Sequence, residues 1–266
     1  MSPLRLIQLT DLHLFGDPAG RLLGLTTRLS FETVLARALS DGEGVGCAAP
    51  ALVLTGDLVH DESAEGYAYL SRVLDATGLQ CFCIAGNHDR IDLMAAHLRP
   101  GLTSAVAGRR LGGWHLAFLD TTVGGKDGGQ LDEAVLEAAE ILIATERAPT
   151  LIFLHHHPIP IGSVWMDTMG VDNGAALVEL CRRYAHVKGL LFGHIHQELA
   201  TARGDLQILG TPSTCVQFLP GSEQFALDSR PPGYREIRLY PDGRLETWVE
   251  RIDDYPEPLD WLALGY

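Results

Sequence analysis

Five short apolar runs in this chain each end in a side chain able to hold a metal ion. Leu-Ile-Gln-Leu-Thr leads into Asp11-Leu-His13, and Ala-Leu-Val-Leu-Thr-Gly into Asp57. Cys-Phe-Cys-Ile-Ala-Gly leads into Asn87-His88-Asp89, Leu-Ile-Phe-Leu into His155-His156-His157-Pro158, and Gly-Leu-Leu-Phe-Gly into His194-Ile-His196. Imidazole and carboxylate together suit zinc, manganese, iron or cobalt, whereas calcium and magnesium favour all-oxygen shells. A carboxylate has two oxygens, so Asp57 is the natural bridge between two cations about 3.5–4 Å apart. Asn87 offers a neutral carbonyl oxygen that adds a ligand without cancelling positive charge. Side-chain direction repeats every two residues along an extended backbone, so Asp11 with His13, and His194 with His196, are expected to share a side. Taken singly, each motif reads equally as a turn or a strand-end feature. Seven of the 11 histidines lie in four of these segments, and coincidence is a poor account of that.

The elements that must position these residues alternate between strand and helix. Leu4–Thr10, Ala51–Thr55, Cys81–Ala85, Trp114–Asp120, Leu151–Leu154 and Gly189–Phe192 read as buried strands. Phe31, Val34, Leu35, Ala38 and Leu39 form a helical stripe, and further helices are expected over Ser63–Ala76, Ile91–Leu98, Leu131–Glu146 and Ala175–Tyr184. After residue 197 the pattern turns to hairpins, with Leu206–Gly210 following an Arg-Gly-Asp turn and alternating strands either side of Pro241-Asp242-Gly243. Loops are expected at 41–50, 124–129 and 219–233. The expected architecture is α/β, with mixed β-sheets sandwiched between helices, in one domain spanning 1–266. In open α/β sheets the carboxyl ends of the strands form the ligand-binding edge, which is where all five clusters sit.

Composition narrows the partners. The 266 residues carry a formal net charge of −14, which disfavours a nucleic-acid binder, since that needs a basic face. There is no run long enough to span a membrane, and the apolar stretch before Asp11 is too short for a signal peptide's hydrophobic region. The five cysteines, Cys47, Cys81, Cys83, Cys181 and Cys215, then read as free thiols in a reducing cytoplasm. Cys81 and Cys83 point to one face of a strand and are not expected to bind zinc.

In this order the five motifs resemble those of the calcineurin-like metallophosphoesterases, and the resemblance extends to the class III cyclic-nucleotide phosphodiesterases. The stretches that carry the closer likeness begin at His155-His-His-Pro-Ile-Pro, at His186-Val-Lys-Gly-Leu-Leu-Phe-Gly-His-Ile-His and at Thr211-Pro-Ser-Thr-Cys-Val-Gln-Phe218. The resemblance implies one metal held by Asp11, His13, Asp57 and His196, and a second held by Asp57, Asn87, His155 and His194. It implies two divalent ions, iron(II) and/or manganese(II), with zinc or cobalt also compatible. His156 and His157 are then supporting residues. His88 matches the residue that contacts the phosphate and assists the leaving group, as general acid or as electrostatic clamp, with His13, Asn87 and His196 also near the substrate.

The implied reaction is hydrolysis of 3′,5′-cyclic AMP to 5′-AMP by a hydroxide activated at the dinuclear centre, in which Asp57 and His88 are the catalytic residues. The alternative is a broader phosphodiesterase or a phosphomonoesterase using the same site. Asp89 is expected either to orient His88 or to cap the helix over Ile91–Leu98. Trp165 and Met166 are expected either to line a base pocket or to pack their loop. The tail from Asp253 is expected to cover a sheet edge or join a contact in a homodimer, monomer and homodimer both being compatible. Of the proposed ligands only Asp11 and Asp57 are charged. Two divalent cations would therefore leave the centre net positive inside an acidic protein.

Overall fold

The computed structural model describes residues 2–40, 50–98, 103–263 and 265, so the expected loop at 41–50 lies almost wholly outside the described residues, as does Cys47. Strands β1 (Leu4–Leu9), β4 (Ala51–Thr55) and β5 (Gln80–Ile84) run parallel in a five-stranded sheet of order β13-β12-β1-β4-β5. β12 (Gly233–Leu239) and β13 (Leu245–Arg251) complete it as antiparallel additions beside β1. The second sheet has the order β10-β11-β9-β8-β7-β6. It comprises β6 (Val106–Leu111), β7 (Trp114–Leu119), β8 (Thr150–Phe153), β9 (Val187–Phe192), β10 (Leu199–Arg203) and β11 (Leu206–Gly210). Between β1 and the first helix, β2 (Arg21–Leu22) and β3 (Leu25–Thr26) form a small hairpin.

The near-continuous apolar runs follow from burial of both sheet faces. Along β4, Ala51 and Val53 join an inner cluster with Phe82, Phe118, Phe153 and Leu191, which packs the two sheets together. The alternate residues Leu52 and Leu54 face Phe31, Val34, Tyr67, Leu70 and Met94 from α1 (Thr27–Ser40), α2 (Ala64–Thr77) and α3 (Ile91–His97). On the far side, Ile152, Leu190 and Phe192 meet Ala139, Ile143, Leu177 and Leu180 from α4 (Glu133–Thr145) and α5 (Gly174–Arg182). The layers are therefore helix, sheet, sheet, helix, the sandwich expected. α2 is bounded by Ser63, whose hydroxyl accepts from the Gly66 N–H, and by Gly78 in the left-handed region.

Besides the short β2 and β3, the strands missing from the periodicity are β6 and β10, the two edges of the second sheet. β6 carries exposed Arg109 and Arg110, and charge on an edge strand discourages pairing with other chains while erasing the apolar alternation. The tail packs on the small hairpin rather than standing free. Glu257 accepts from the Thr26 N–H and from Arg21, the Asp260 N–H donates to Leu23, and Leu259 is buried. Cys81, Cys83, Cys181 and Cys215 are buried free thiols, and burial pushes them all up in pKa, so they stay protonated and unreactive.

Between the sheets, Phe118 is the middle ring of three, with centroids 5.5 Å from Phe82 and 5.4 Å from Phe153. Phe118→Ala is expected to cost about 3–5 kcal/mol. Denaturant unfolding should show a lower midpoint with an unchanged slope, and an unchanged midpoint would place the load elsewhere.

Candidate metal centre

The parallel strands β1, β4 and β5 end side by side in one sheet, and β8 and β9 end side by side in the other. All five candidate clusters are thus delivered to one end of the sandwich. The loops after β1 and β4 go on pairing beyond the sheet. The Asp11 N–H donates to the Gly56 carbonyl, the His13 N–H to that of Asp57 and the His60 N–H to that of Leu14. This pairing carries the ligands in a conformation the sequence did not suggest. Asp11, His13, Asp57, His194 and His196 all have positive φ, between 47° and 66°. The Asp-x-His and His-x-His pairs therefore converge from left-handed backbone, not from the extended chain expected for them. Such residues cost roughly 1–3 kcal/mol each and persist where the surroundings over-determine them.

Two glycines show how tight the surroundings are. A β-carbon at Gly86 would collide with Asp57 Oδ1, and one at Gly193 with Thr10 Oγ1. Asp89 closes the same corner. Its carboxylate accepts from the Leu58, Val59 and Gly86 N–H groups and from the Tyr67 hydroxyl, which ties the Asp57 loop to the Asn87 loop. Neither expectation for Asp89 holds, because its oxygens are taken up by this staple, and Arg90, with no side-chain cap bond, stands at the start of α3.

The seven candidate ligands come together. His13 Nε2 lies 3.1 Å from His196 Nε2 and 3.8 Å from Asp57 Oδ2, and His196 Nε2 lies 3.4 Å from Asp11 Oδ1. His155 Nε2 lies 3.1 Å from Asn87 Oδ1 and 3.4 Å from Asp57 Oδ1. Asp57 faces both groups, and the His88 N–H donates to its Oδ1. His194 packs against the rings of His155, at 5.1 Å, and His156, at 4.6 Å.

Ring hydrogens decide which imidazoles are available. His155 Nδ1 donates to the Thr55 carbonyl at 2.7 Å and His196 Nδ1 to the Val216 carbonyl at 2.8 Å, which orients both rings with Nε2 toward the centre. His13 Nδ1 pairs with His60 Nδ1 at 3.1 Å, which turns its Nε2 toward the centre as well. His13 Nε2 and His196 Nε2 face each other at 3.1 Å beside Asp11, close enough for all three to hold one cation. Asp57 Oδ2 and both His194 ring nitrogens are buried with no hydrogen-bond partner among the described residues. These unpaired polar atoms fit a dinuclear site of the expected donor set. His156 does not compete, because Thr121 Oγ1 takes its Nδ1 and the Asp127 carbonyl its Nε2.

Electrostatics agree. Burial drives His13 and His194 well below the usual histidine range, so both are neutral and able to donate a lone pair. Burial opposes charge on Asp57 and on His155 too, but their mutual attraction outweighs it. Asp57 is held well below the usual carboxylate range and His155 is raised above the usual imidazole value.

His60 is the residue the motif reading missed. Besides meeting His13, its ring stacks on His88 at 4.7 Å and 28°. Its signal was only a histidine three places after Asp57. The expectation for Trp165 and Met166 divides: Met166 is fully buried in the core, whereas Trp165 lines a cavity of about 240 Å³ together with Asn87, His88 and His194. A larger cavity of about 510 Å³ lies behind His157 against α5 and takes in none of the seven candidate ligands.

A family profile described as calcineurin-like phosphoesterase matches residues 4–198. The chain belongs to the calcineurin-like phosphoesterase family. It is 39% identical over 264 residues to the 3′,5′-cyclic adenosine monophosphate phosphodiesterase CpdA of Pseudomonas aeruginosa, covering 98% of this chain and 94% of that one. It is 36% identical to the protein of the same name from Escherichia coli strain K12, covering 99% and 95%. Among solved structures, a dimetal phosphatase from Danio rerio superposes with a TM-score of 0.67 at 16% identity, over 94% of this chain and 99% of that one. Membership makes this a hydrolase, and the family implies two divalent metal ions. No helix among the described residues is long and apolar enough to cross a membrane.

Because the Asp57 charge favours a proton on His155, that proton competes with metal at neutral pH. Affinity for Mn2+, measured by competition with a chelator, is expected to rise about tenfold per pH unit from about pH 6 to pH 8. A flat profile would mean that His155 carries no proton to displace.

Proposed function

We propose that this protein hydrolyses 3′,5′-cyclic AMP to 5′-AMP. The observation that carries the reading is the pair of facing donor groups joined through Asp57, on a chain of 36–39% identity to cyclic-AMP phosphodiesterases along nearly its whole length. Asp11, His13, Asp57 and His196 are proposed to hold one ion, and Asp57, Asn87, His155 and His194 the other. Iron(II) and manganese(II) are the ions we favour. Bound there, they would supply positive charge to the phosphate and lower the pKa of water toward about 7.

The chain's own residues do the rest. Asn87 and His88 lie half-exposed where the centre meets the cavity, with the His88 ring held by its stack on His60 and its edge-on contact with His13 at 5.2 Å. From there His88 is proposed to pass a ring proton to the departing 3′-oxygen as the P–O bond breaks, a contribution of roughly 10²–10⁴-fold. Asp57 holds the His88 backbone in place through the bond from its N–H. A single domain is supported by β12 and β13, which bring the last strands back beside β1. The acidic surface and the small cavity favour a small phosphodiester over nucleic acid, acting in the cytoplasm as a monomer or homodimer.

Metal analysis and a panel of cyclic AMP, 2′,3′-cyclic AMP, glycerophosphodiesters and phosphomonoesters test this reading. Asp57→Ala should lose metal and activity together. His88→Ala should keep both metals and lose about 10²–10⁴-fold in kcat on cyclic AMP. If Asp57→Ala kept metals and full turnover, the mechanism would be wrong, and a wild-type preference for another ester would replace the substrate.

A further inference from the structure

His60 stands where a candidate metal ligand and the leaving-group residue meet. Its ring lies against two others, His13 edge-on at 5.2 Å and 67°, and His88 face-to-face at 4.7 Å and 28°. The loop that carries it is fixed from both sides. The His60 N–H donates to the Leu14 carbonyl at 2.8 Å, and the next residue, Asp61, accepts from the Gly16 N–H at 2.9 Å. Phe15 packs against the His60 ring at 5.1 Å. Three candidate ligand rings are turned toward the centre by what their Nδ1 meets. For His155 and His196 that partner is a backbone carbonyl, of Thr55 and Val216, whereas for His13 it is the side chain of His60, Nδ1 to Nδ1 at 3.1 Å. A neutral imidazole carries one ring hydrogen, so with Nε2 on a metal ion His13 keeps its hydrogen on Nδ1, and His60 Nδ1 is the acceptor. His88 poses the complementary problem. It is half-exposed in the turn after β5, and a side chain that must present one nitrogen at one place needs its rotamer locked by packing. The face of His60 supplies that packing, with His13 against it at 5.2 Å and 75°.

We propose that His60 is a positioning residue serving both halves of the site: its Nδ1 accepts the hydrogen that orients His13 toward a metal ion, and its ring face sets the angle at which His88 meets the departing oxygen. The assignment deepens the reading of the centre as a hydrolytic dinuclear site and rests on it. A backbone carbonyl could fill the first role and any flat ring the second. An imidazole, with an acceptor on its edge and an aromatic face, does both at once, and so ties the orientation of the proton donor to that of the ligand.

Two substitutions divide the roles on Mn2+-loaded protein. His60→Asn puts an amide oxygen where Nδ1 stood and removes the ring, whereas His60→Phe keeps a ring and removes the acceptor. His60→Asn should hold Mn2+ within about threefold of wild type, measured by competition with a chelator. Its ratio of kcat on cyclic AMP to kcat on bis-p-nitrophenyl phosphate should fall about tenfold, because an alkoxide needs a proton to leave and a nitrophenolate does not. His60→Phe should show the reverse, with Mn2+ held about 10–100-fold more weakly and the ratio within about threefold of wild type at saturating metal. A packing role alone would move both readouts in both variants. That result, or no movement in either variant, would overturn the proposal. Should wild type spare cyclic AMP and hydrolyse another alkyl diester of the panel, the substrate reading falls, and the same ratio taken on that ester decides for or against His60.

Discussion

Asp57 is fully enclosed at the end of β4, and its two oxygens face His155 on one side and His13 on the other. A buried carboxylate costs a great deal unless positive charge meets it, and the protein's own groups meet it only partly. Oδ1 takes the His88 N–H, while Oδ2 accepts no hydrogen bond from the described residues. The site is therefore built short of positive charge, and much of the surrounding architecture serves to hold that imbalance in shape. The left-handed backbone at five ligand positions, the staple made by Asp89 and the close approaches at Gly86 and Gly193 all resist relaxation of the carboxylate toward water. Ordinary loops would relieve the strain by moving the ligands apart. Here each loop is hydrogen-bonded to the next, so none can move alone.

The net charge of −14 takes on a different meaning against this centre. A sum over the whole chain describes the outer surface, where the charges are solvated and screened within about 10 Å at ordinary salt. At the centre, burial keeps His13 and His194 neutral, and only Asp11 and Asp57 among the candidate ligands bring negative charge. Two divalent ions among them would exceed the charge on Asp11 and Asp57, leaving a positive focus among buried side chains. An acidic exterior repels long polyanions and leaves a small anion free to reach that focus.

The clustering of the seven candidate residues could be read from the chain because each follows an apolar run, and strand ends are where parallel sheets gather their ligands. The reason given for the paired motifs was nevertheless mistaken. A period of two describes a strand, and β1 and β9 stop at Leu9 and Phe192, before the ligands begin. What aligns Asp11 with His13 is pairing with Gly56 and Asp57, a contact between segments 45 residues apart that no local pattern encodes. His60 escaped notice for the same reason: its place beside His13 depends on the bond from its N–H to Leu14. Edge strands β6 and β10 were lost to their exposed charges and short apolar content, the features that keep an edge from pairing.

The triple histidine run shows how one local sequence is sorted by partners rather than by identity. His155, His156 and His157 are all buried and differ by one position each. His155 has one nitrogen on the Thr55 carbonyl and so turns the other to Asp57 and Asn87. His156 has both nitrogens satisfied by Thr121 and Asp127 and can only support. His157 stacks on His194 at 5.8 Å and 19°, and burial holds its pKa down at about 4, so it presses on a ligand ring as a neutral plate. A candidate ligand, a tether and a packing plate thus arise from identical side chains, and what separates them is the acceptor each ring meets first. The same logic governs Trp165 and Met166, adjacent residues of which one closes a cavity and the other anchors it in the core.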